Sequence, residues 1–163
     1  MTLRAPKRGE AAQLSALAMR SKQSNGYDAA FMAACRAELT ITETDLATRR
    51  FQVVADGGLW AVAACDPVAD GGDISRDINA LGRVGEVSLM FVHPDRQGLG
   101  YGRLLMDWVL AEAMRMGWQR LVLDADPKAE AFYARMGFET IGRRASGSIP
   151  GRTLPHMQLC TGG

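Results

Sequence analysis

Apolar positions fall into short blocks whose period changes along the chain. Val87 to Val92 form an apolar, β-favouring run that reads as a buried strand. Phe51 to Ala55 and Leu59 to Ala64 read as two more strands, and Asp56-Gly57-Gly58 between them is a hairpin signal. Arg120 to Asp124, Phe138 to Arg143 and Leu154 to Leu159 give three further strands, and Leu3-Arg4-Ala5 a short first one that Pro6 ends. The spacing turns helical from Gly9 to Arg20, with Leu14, Leu17 and Ala18 on one face, and again from Tyr27-Asp28 through Phe31, Met32 and Cys35. Thr40 to Thr48 reads as a capping turn. Arg103 to Met116 is apolar nearly all round, the pattern of a helix sandwiched between layers, and Gly117 ends it. Pro127 opens a last helix that Gly137 closes. Asp66 to Gly82 is rich in Asp and Gly without periodicity and reads as a mobile loop; Arg144 to Thr153 joins the last two strands. The layout predicts a mixed sheet with helices on both faces, α/β or α+β in class.

Composition narrows the partners. A chain of 163 residues, 47% hydrophobic and 23% charged, is long enough for one domain with a real core. A net charge of +1 gives no pull toward nucleic acid or a membrane surface. Cys35, Cys65 and Cys160 form neither a disulfide framework nor a zinc pattern, so no metal is expected. No apolar run approaches the roughly 20 residues of a membrane span, and the N-terminus lacks the apolar core of a signal peptide. A cytoplasmic location is the default expectation.

Candidate chemistry gathers after the central strand. His93-Pro94-Asp95 breaks it, Gln97-Gly98-Leu99-Gly100-Tyr101-Gly102 makes a glycine-rich turn, and a helix begins at Arg103. Strand, glycine turn and helix N-terminus together suit an anion, because free N–H groups and the helix dipole point the same way. The glycines would let a phosphate approach the backbone. A G-x-x-x-x-G-K-[ST] loop is absent, and Gly98-x-Gly100-x-Gly102 in mid-chain does not fit the G-x-G-x-x-G dinucleotide fingerprint. The remaining alternative is a tight connection that binds nothing.

A second motif bears on that choice: Ala129-Glu130-Ala131-Phe132-Tyr133-Ala134-Arg135-Met136-Gly137-Phe138. With it, the chain resembles the GNAT superfamily of acyl-CoA-dependent N-acetyltransferases. Gln97 to Gly102 is similar to the family's Q/R-x-x-G-x-G/A pyrophosphate signature, and Ala129 to Phe138 to its A-x-x-[FL]-Y-x-x-x-G-F motif; the two lie about thirty residues apart in the family's order. The resemblance implies a single GNAT-like domain over residues 2–160, with a mostly antiparallel sheet of about seven strands. It also implies acetyl-CoA as co-substrate and direct transfer to an amine. One position departs from the pattern. The family usually carries Asn seven residues before the tyrosine, to hold the pantetheine arm, where this chain has Asp126. An ionised aspartate accepts a hydrogen bond there but donates none.

Amine acetylation sets three requirements. A lysine-like ammonium with pKa near 10.4 is only about 0.1% deprotonated at pH 7.4, the oxyanion needs donors, and the thiolate benefits from a proton. The resemblance implies Glu86, six residues before Val92, as the base; the alternative is an exposed strand-end charge. It implies the backbone of Met90, Phe91 and Val92 for the carbonyl and pantetheine, and Tyr133 as the acid, against a partly buried structural aromatic. Gln97, Gly98, Leu99, Gly100, Tyr101 and Gly102, with Arg103, would take the pyrophosphate, and Asp126 and Ala129 would border the cofactor. Arg96 faces either the 3′-phosphate or solvent. His93 reads as structural, and His156 is left open. Tyr27, Asp28 and Arg152 are candidates for the acceptor, Asp28 for a cationic amine and Arg152 for a carboxylate, while Phe31, Met32 and Cys35 read as core. The expected acceptor is a small primary amine. A peptide or protein amine, or a non-catalytic acyl-CoA-binding sensor or interaction domain, is the alternative, and a homodimer is allowed.

Overall fold

In the computed structural model, which describes residues 1–68 and 83–162, seven strands form one sheet in the order β1-β2-β3-β4-β5-β7-β6. They are β1 (Thr2–Arg4), β2 (Arg50–Ala55), β3 (Leu59–Pro67), β4 (Val84–Val92), β5 (Arg120–Asp124), β6 (Glu139–Ala145) and β7 (Thr153–Cys160). The helices are α1 (Ala11–Gln23), α2 (Ala29–Leu39), α3 (Glu43–Thr48), α4 (Tyr101–Met116) and α5 (Glu130–Arg135). Every strand pair is antiparallel except β4 and β5. The α+β class and the sheet with helices on both faces are those the sequence predicts.

Alternation along the strands assigns the two faces. On one, Leu14 and Leu17 of α1 pack on Phe51, Val53, Val62 and Ala64, with Leu89 and Phe91 against them. On the other, Leu105, Val109 and Ala113 of α4 cover Ala61, Ala63, Cys65, Val87 and Leu121. Full burial of a side chain such as Leu105 is worth about 1.5–3 kcal/mol, so this stripe is what holds α4 down. The sandwiched helix expected from sequence is corrected here. None of the described residues covers the outer side of α4, where Met114 is 79% exposed and Arg103, Asp107 and Arg115 point to solvent.

Three local readings shift. The capping turn becomes α3, closed at its N-terminus by a capping box. The Asp45 N–H donates to Thr42 Oγ1 (3.0 Å), and the Thr42 N–H donates to Asp45 Oδ2 (2.9 Å). The central strand starts at Val84, so Glu86 lies inside it and is half-buried rather than a strand-end charge. Asp66 and Pro67 extend β3, and the rest of the expected loop after Val68 lies outside the described residues.

Two irregularities of β4 set the direction of its side chains and open the sheet beside it. Ala64 pairs with Leu89 but Cys65 pairs with Val87, so Ser88 is the extra residue of a β-bulge. The bulge reverses the alternation. Val87 faces α4 below it, whereas Met90 and Val92 face α4 above it and Leu89 and Phe91 turn to α1. Glu86 therefore shares the α1 side of the sheet. Arg49 pins the bulge by donating from Nη2 to Ser88 Oγ (2.7 Å) and to Asp66 Oδ2 (2.9 Å). The second irregularity is that β4 and β5 pair only from Val84 to Glu86, opposite Arg120 to Val122, and then part.

Candidate active site

The parting of β4 and β5 opens a cleft of ≈ 500 Å³. One wall is the upper half of β4. The His93 N–H donates to Trp60 O (2.8 Å), so by two-residue alternation the N–H and C=O groups of Met90 and Val92 point away from β3 and into the gap. No strand of the described residues pairs with them there. The sequence thus leaves main-chain donors bare in a recess walled by apolar side chains.

The cleft floor is the glycine turn. Gly98 and Gly100 have φ of +78° and +86°, left-handed values that disfavour any Cβ, yet a Cβ at either would meet nothing within 4 Å. Their constraint is backbone shape. Gly102 is different: a Cβ there would stand 2.9 Å from Phe132 Cε1, so this glycine lets α4 settle on α5. Gly100 caps α4 without a side-chain acceptor, and the first α4 amide with a backbone partner is Leu104, bonded to Gly100 O at 3.1 Å. The N–H groups of Tyr101, Gly102 and Arg103 carry no acceptor among the described residues, which is the arrangement that takes an anion.

Tyr133 forms the opposite wall. It is 8% exposed, edge-on to Phe132 (5.1 Å) and Phe138 (5.8 Å). Burial, with the nearby negative charge of Asp126, pushes its phenol above the usual tyrosine range, so it stays protonated at neutral pH. Its hydroxyl has no hydrogen bond among the described residues.

The structure brings together at this cleft Met90, Phe91, Val92, Gln97, Gly98, Gly100, Tyr101, Gly102, Arg103, Asp126, Ala129 and Tyr133. Leu99 belongs to the same turn but its side chain is 61% exposed. Arg96 also lines the cleft, stacked 3.9 Å over the Trp60 ring and tied to Tyr101 Oη (3.2 Å) and Asp56 (3.3 Å). Lys22 and Phe132 line it too. Phe132 belongs to the Ala129 to Phe138 motif, whereas Lys22 carries no sequence signal, because its role depends on contacts across the fold.

Asp126 is the most heavily used of these side chains. It accepts from Lys22 Nζ (2.9 Å), Tyr27 Oη (3.0 Å) and the Lys128 N–H (2.9 Å), with Arg152 Nη2 at 3.6 Å. Burial pushes its carboxyl up, but Lys22, the Lys128 amide and Tyr27 outweigh that and hold it below the usual range. Arg152 Nη2 in turn donates to Tyr27 Oη (2.8 Å), and Tyr27 stacks on Phe31 at 4.0 Å. The cluster ties α1, the turn before α2, the end of β5 and the β6–β7 loop together. Tyr27 and Arg152 are thus in contact with the cleft through Asp126. Asp28 is not; its side chain caps α2 by accepting from the Phe31 N–H (2.8 Å). Met32 and Cys35 are buried core.

Glu86 lies outside the cleft lining, on the α1 side of the sheet, with no hydrogen bond or ion pair among the described residues. Burial first, then the negative charge of Asp124, raises its pKa above that of an ordinary glutamate. Such a carboxylate holds a proton more tightly than one in water, as a base near neutral pH must. His93 accepts the Asp95 N–H at Nδ1 (3.0 Å) and stands edge-on to Trp60, while His156 Nδ1 is 2.7 Å from Asp124 Oδ1. Among the described residues no group of His, Cys, Asp and Glu side chains is arranged to hold a metal, and no helix is long and apolar enough to cross a membrane.

Residues 47–140 match the family model described as "Acetyltransferase (GNAT) domain". The fold matches the PaiA N-acetyltransferase of Thermoplasma acidophilum in complex with coenzyme A, with a TM-score of 0.74, 14% identity and 98% of each chain covered. It also matches YncA of Salmonella typhimurium with its cofactor acetyl-CoA, with a TM-score of 0.67, 21% identity, and 100% of this chain and 95% of that chain covered. A segment of 58 residues is 41% identical to mycothiol acetyltransferase of Geodermatophilus obscurus, spanning 34% of this chain and 19% of that protein.

Proposed function

The chain belongs to the GNAT acetyltransferase family, and from that premise we propose that it transfers an acetyl group from acetyl-CoA directly to a primary amine carried by a small molecule. The observation that carries this reading is the cleft between the parted β4 and β5. It joins bare main-chain donors, a free helix N-terminus and a protonated tyrosine in one recess.

The residues present fit acetyl-CoA. The unpaired amides of Tyr101, Gly102 and Arg103 suit a pyrophosphate, and Lys22, Arg103, Lys128 and Arg135 give the same cleft a cationic lining. Met90 and Val92 offer N–H and C=O groups to an extended amide-bearing arm, which would add to the sheet as a strand does. Bound there, acetyl-CoA supplies a thioester whose carbon–sulfur bond is exchanged for a carbon–nitrogen bond. The main-chain N–H groups of β4 stabilise the oxyanion. Tyr133, protonated at neutral pH, donates to the departing sulfur. Glu86, from the α1 side, takes a proton from the acceptor amine directly or through a water. Tyr27 and Arg152 border the acceptor end through their contacts with Asp126.

A second reading, acyl-CoA binding without turnover, draws on one observation: Glu86 does not line the cleft. Release of CoA thiol separates the two. With amino acids, polyamines, aminoglycosides and peptides as acceptors, the transferase reading expects thiol release with at least one small amine and a thermal shift with acetyl-CoA alone. A thermal shift without thiol release favours binding only, thiol release confined to peptides moves the acceptor to proteins, and neither signal ends both readings.

A further inference from the structure

The α1 side of the sheet carries, on β5 and β7, a polar group to which the proposed acetyl transfer gives no task. On β5, Leu121, Leu123 and Ala125 face the α4 core, so Val122, Asp124 and Asp126 face the α1 side. On β7, Met157 faces the α4 core and His156 the opposite way. Asp124 and His156 are direct partners in the β5–β7 register, and Asp124 Oδ1 lies 2.7 Å from His156 Nδ1. A hydrogen bond from Nδ1–H to a carboxylate fixes the tautomer whose Nε2 carries the lone pair. Across from His156, β6 offers Gly142, which has no side chain to cover the ring. The imidazole is therefore oriented and bare at Nε2 among the described residues, with its side chain 18% exposed.

Its surroundings belong to the amine end of the site. Glu86 pairs with Val122, and Asp124 lies two residues farther along β5, about 7 Å. Asp126, on the same face two residues beyond, lines the cleft. The charged groups facing this patch are Glu86 from β4, Asp66 from β3 with Arg49 beside it, Asp124 from β5, and Arg144 from β6, whose Nε is 3.8 Å from Asp124.

We propose that the Asp124–His156 pair is a second proton acceptor of the acetyl-transfer site, with His156 Nε2 taking one of the two protons that the acceptor nitrogen loses. The inference rests on the transferase reading. An ammonium loses two protons in becoming an amide N–H. Glu86 takes one and His156 the other, sulfur gains one from Tyr133, Tyr133 is reprotonated, and one proton leaves to solvent. Asp124 is a positioning residue, acting through the ring.

The test uses the full-length protein and, as probe, whichever amine of the panel gives the fastest thiol release. His156→Asn keeps a donor for Asp124 but no base; it is expected to lower kcat on the order of 100-fold, the low end for a lost general base, with the acetyl-CoA thermal shift unchanged. The acid limb of its pH–rate profile should change shape, and His156→Ala should regain rate with added imidazole. Because the chain has 2 histidines, nitrogen-detected NMR reads the tautomer directly. The Nδ1–H form is expected in the wild type, with a shift toward Nε2–H in Asp124→Asn. Wild-type rates in His156→Asn, a loss of rate without imidazole rescue or change in pH profile, or an Nε2–H tautomer in the wild type each overturn the proposal. A wild type that binds acetyl-CoA and releases no thiol with any amine removes the transferase reading itself, and the proton step with it.

Discussion

Gly100→Ala isolates the shape of the anion turn from its packing. Gly100 sits at φ +86° and ψ +6° as the N-cap of α4, and a Cβ there would touch nothing within 4 Å. The whole cost is therefore conformational, about 1–2 kcal/mol for an L-residue held left-handed. For a chain of this size 1 kcal/mol moves Tm by roughly 2–4 °C, so the variant should melt about 2–8 °C lower. A ligand at 100 times its Kd adds about 2.7 kcal/mol, which predicts a wild-type acetyl-CoA shift of roughly 5–11 °C. If alanine relaxes toward negative φ, the amides of Tyr101 to Arg103 swing away from the cleft and the shift shrinks with it. The assay is a melt of both proteins with and without acetyl-CoA. A variant with the wild-type Tm and the wild-type ligand shift would falsify the claim that these amides form the anion site.

Gly85→Ala should be worse for a different reason, since its Cβ would run into the Trp118 ring in the buried core; overpacking of about 3 kcal/mol or more is expected, read as a lower urea midpoint than that of Gly100→Ala. Asp126→Asn leaves Lys22 and Arg152 facing each other without their shared carboxylate, and a loss of about 2–4 kcal/mol is expected by chemical denaturation, scaled down from a fully buried pair. Because the Asp126 pKa is depressed, its stabilisation is complete above the unfolded value near 3.9 and fades as pH falls through the folded one; the variant's stability should therefore be flatter on the acid side, and a parallel pH dependence would refute the assignment. Glu86 has the opposite sign: its raised pKa makes the native state less stable as pH rises from about 4.3 through the folded value, so Glu86→Gln should melt higher than the wild type at neutral pH and alike in acid, while turning over slowly. Burial pushes the Cys65 thiol up to about 12 and Cys35 is buried, so only exposed Cys160 should react quickly with a thiol reagent at pH 8 in the native state.

What could be read from sequence was whatever is local. The glycine turn, the hairpin at Asp56-Gly57-Gly58 and the 3-10 turn Pro127–Ala129 that leads into α5 are punctuated by residues whose own backbone preferences write the structure. The all-round apolarity of Arg103 to Met116 misleads because composition does not say how many layers a fold has; Met114 has no packing partner among the described residues and is exposed. The Asp126 cluster was out of reach, since Lys22, Tyr27 and Arg152 reach it across separations of up to 125 residues between its members. Asp28 looked like a ligand for an amine because its capping bond depends on where α2 begins. The bulge at Ser88 left no trace, as every residue from Leu89 to Val92 is apolar and either phase of the alternation looks equally good.

That one extra residue divides β4 into two halves with separate occupations. Below Ser88 the strand presents a side chain: Glu86 is aimed at the α1 face, and in the proposed role of base it could be replaced only by another carboxylate or base. Above Ser88 it works through its main chain, and Met90 and Val92 matter for the direction of their amides more than for their identity. Substitutions in the upper half that keep an extended, apolar strand should therefore be nearly silent for transfer. Deleting the single residue Ser88 would join Val87, opposite Cys65, directly to Leu89, opposite Ala64, in regular alternation, so both halves should keep their faces and lose only the bulge and its bond to Arg49.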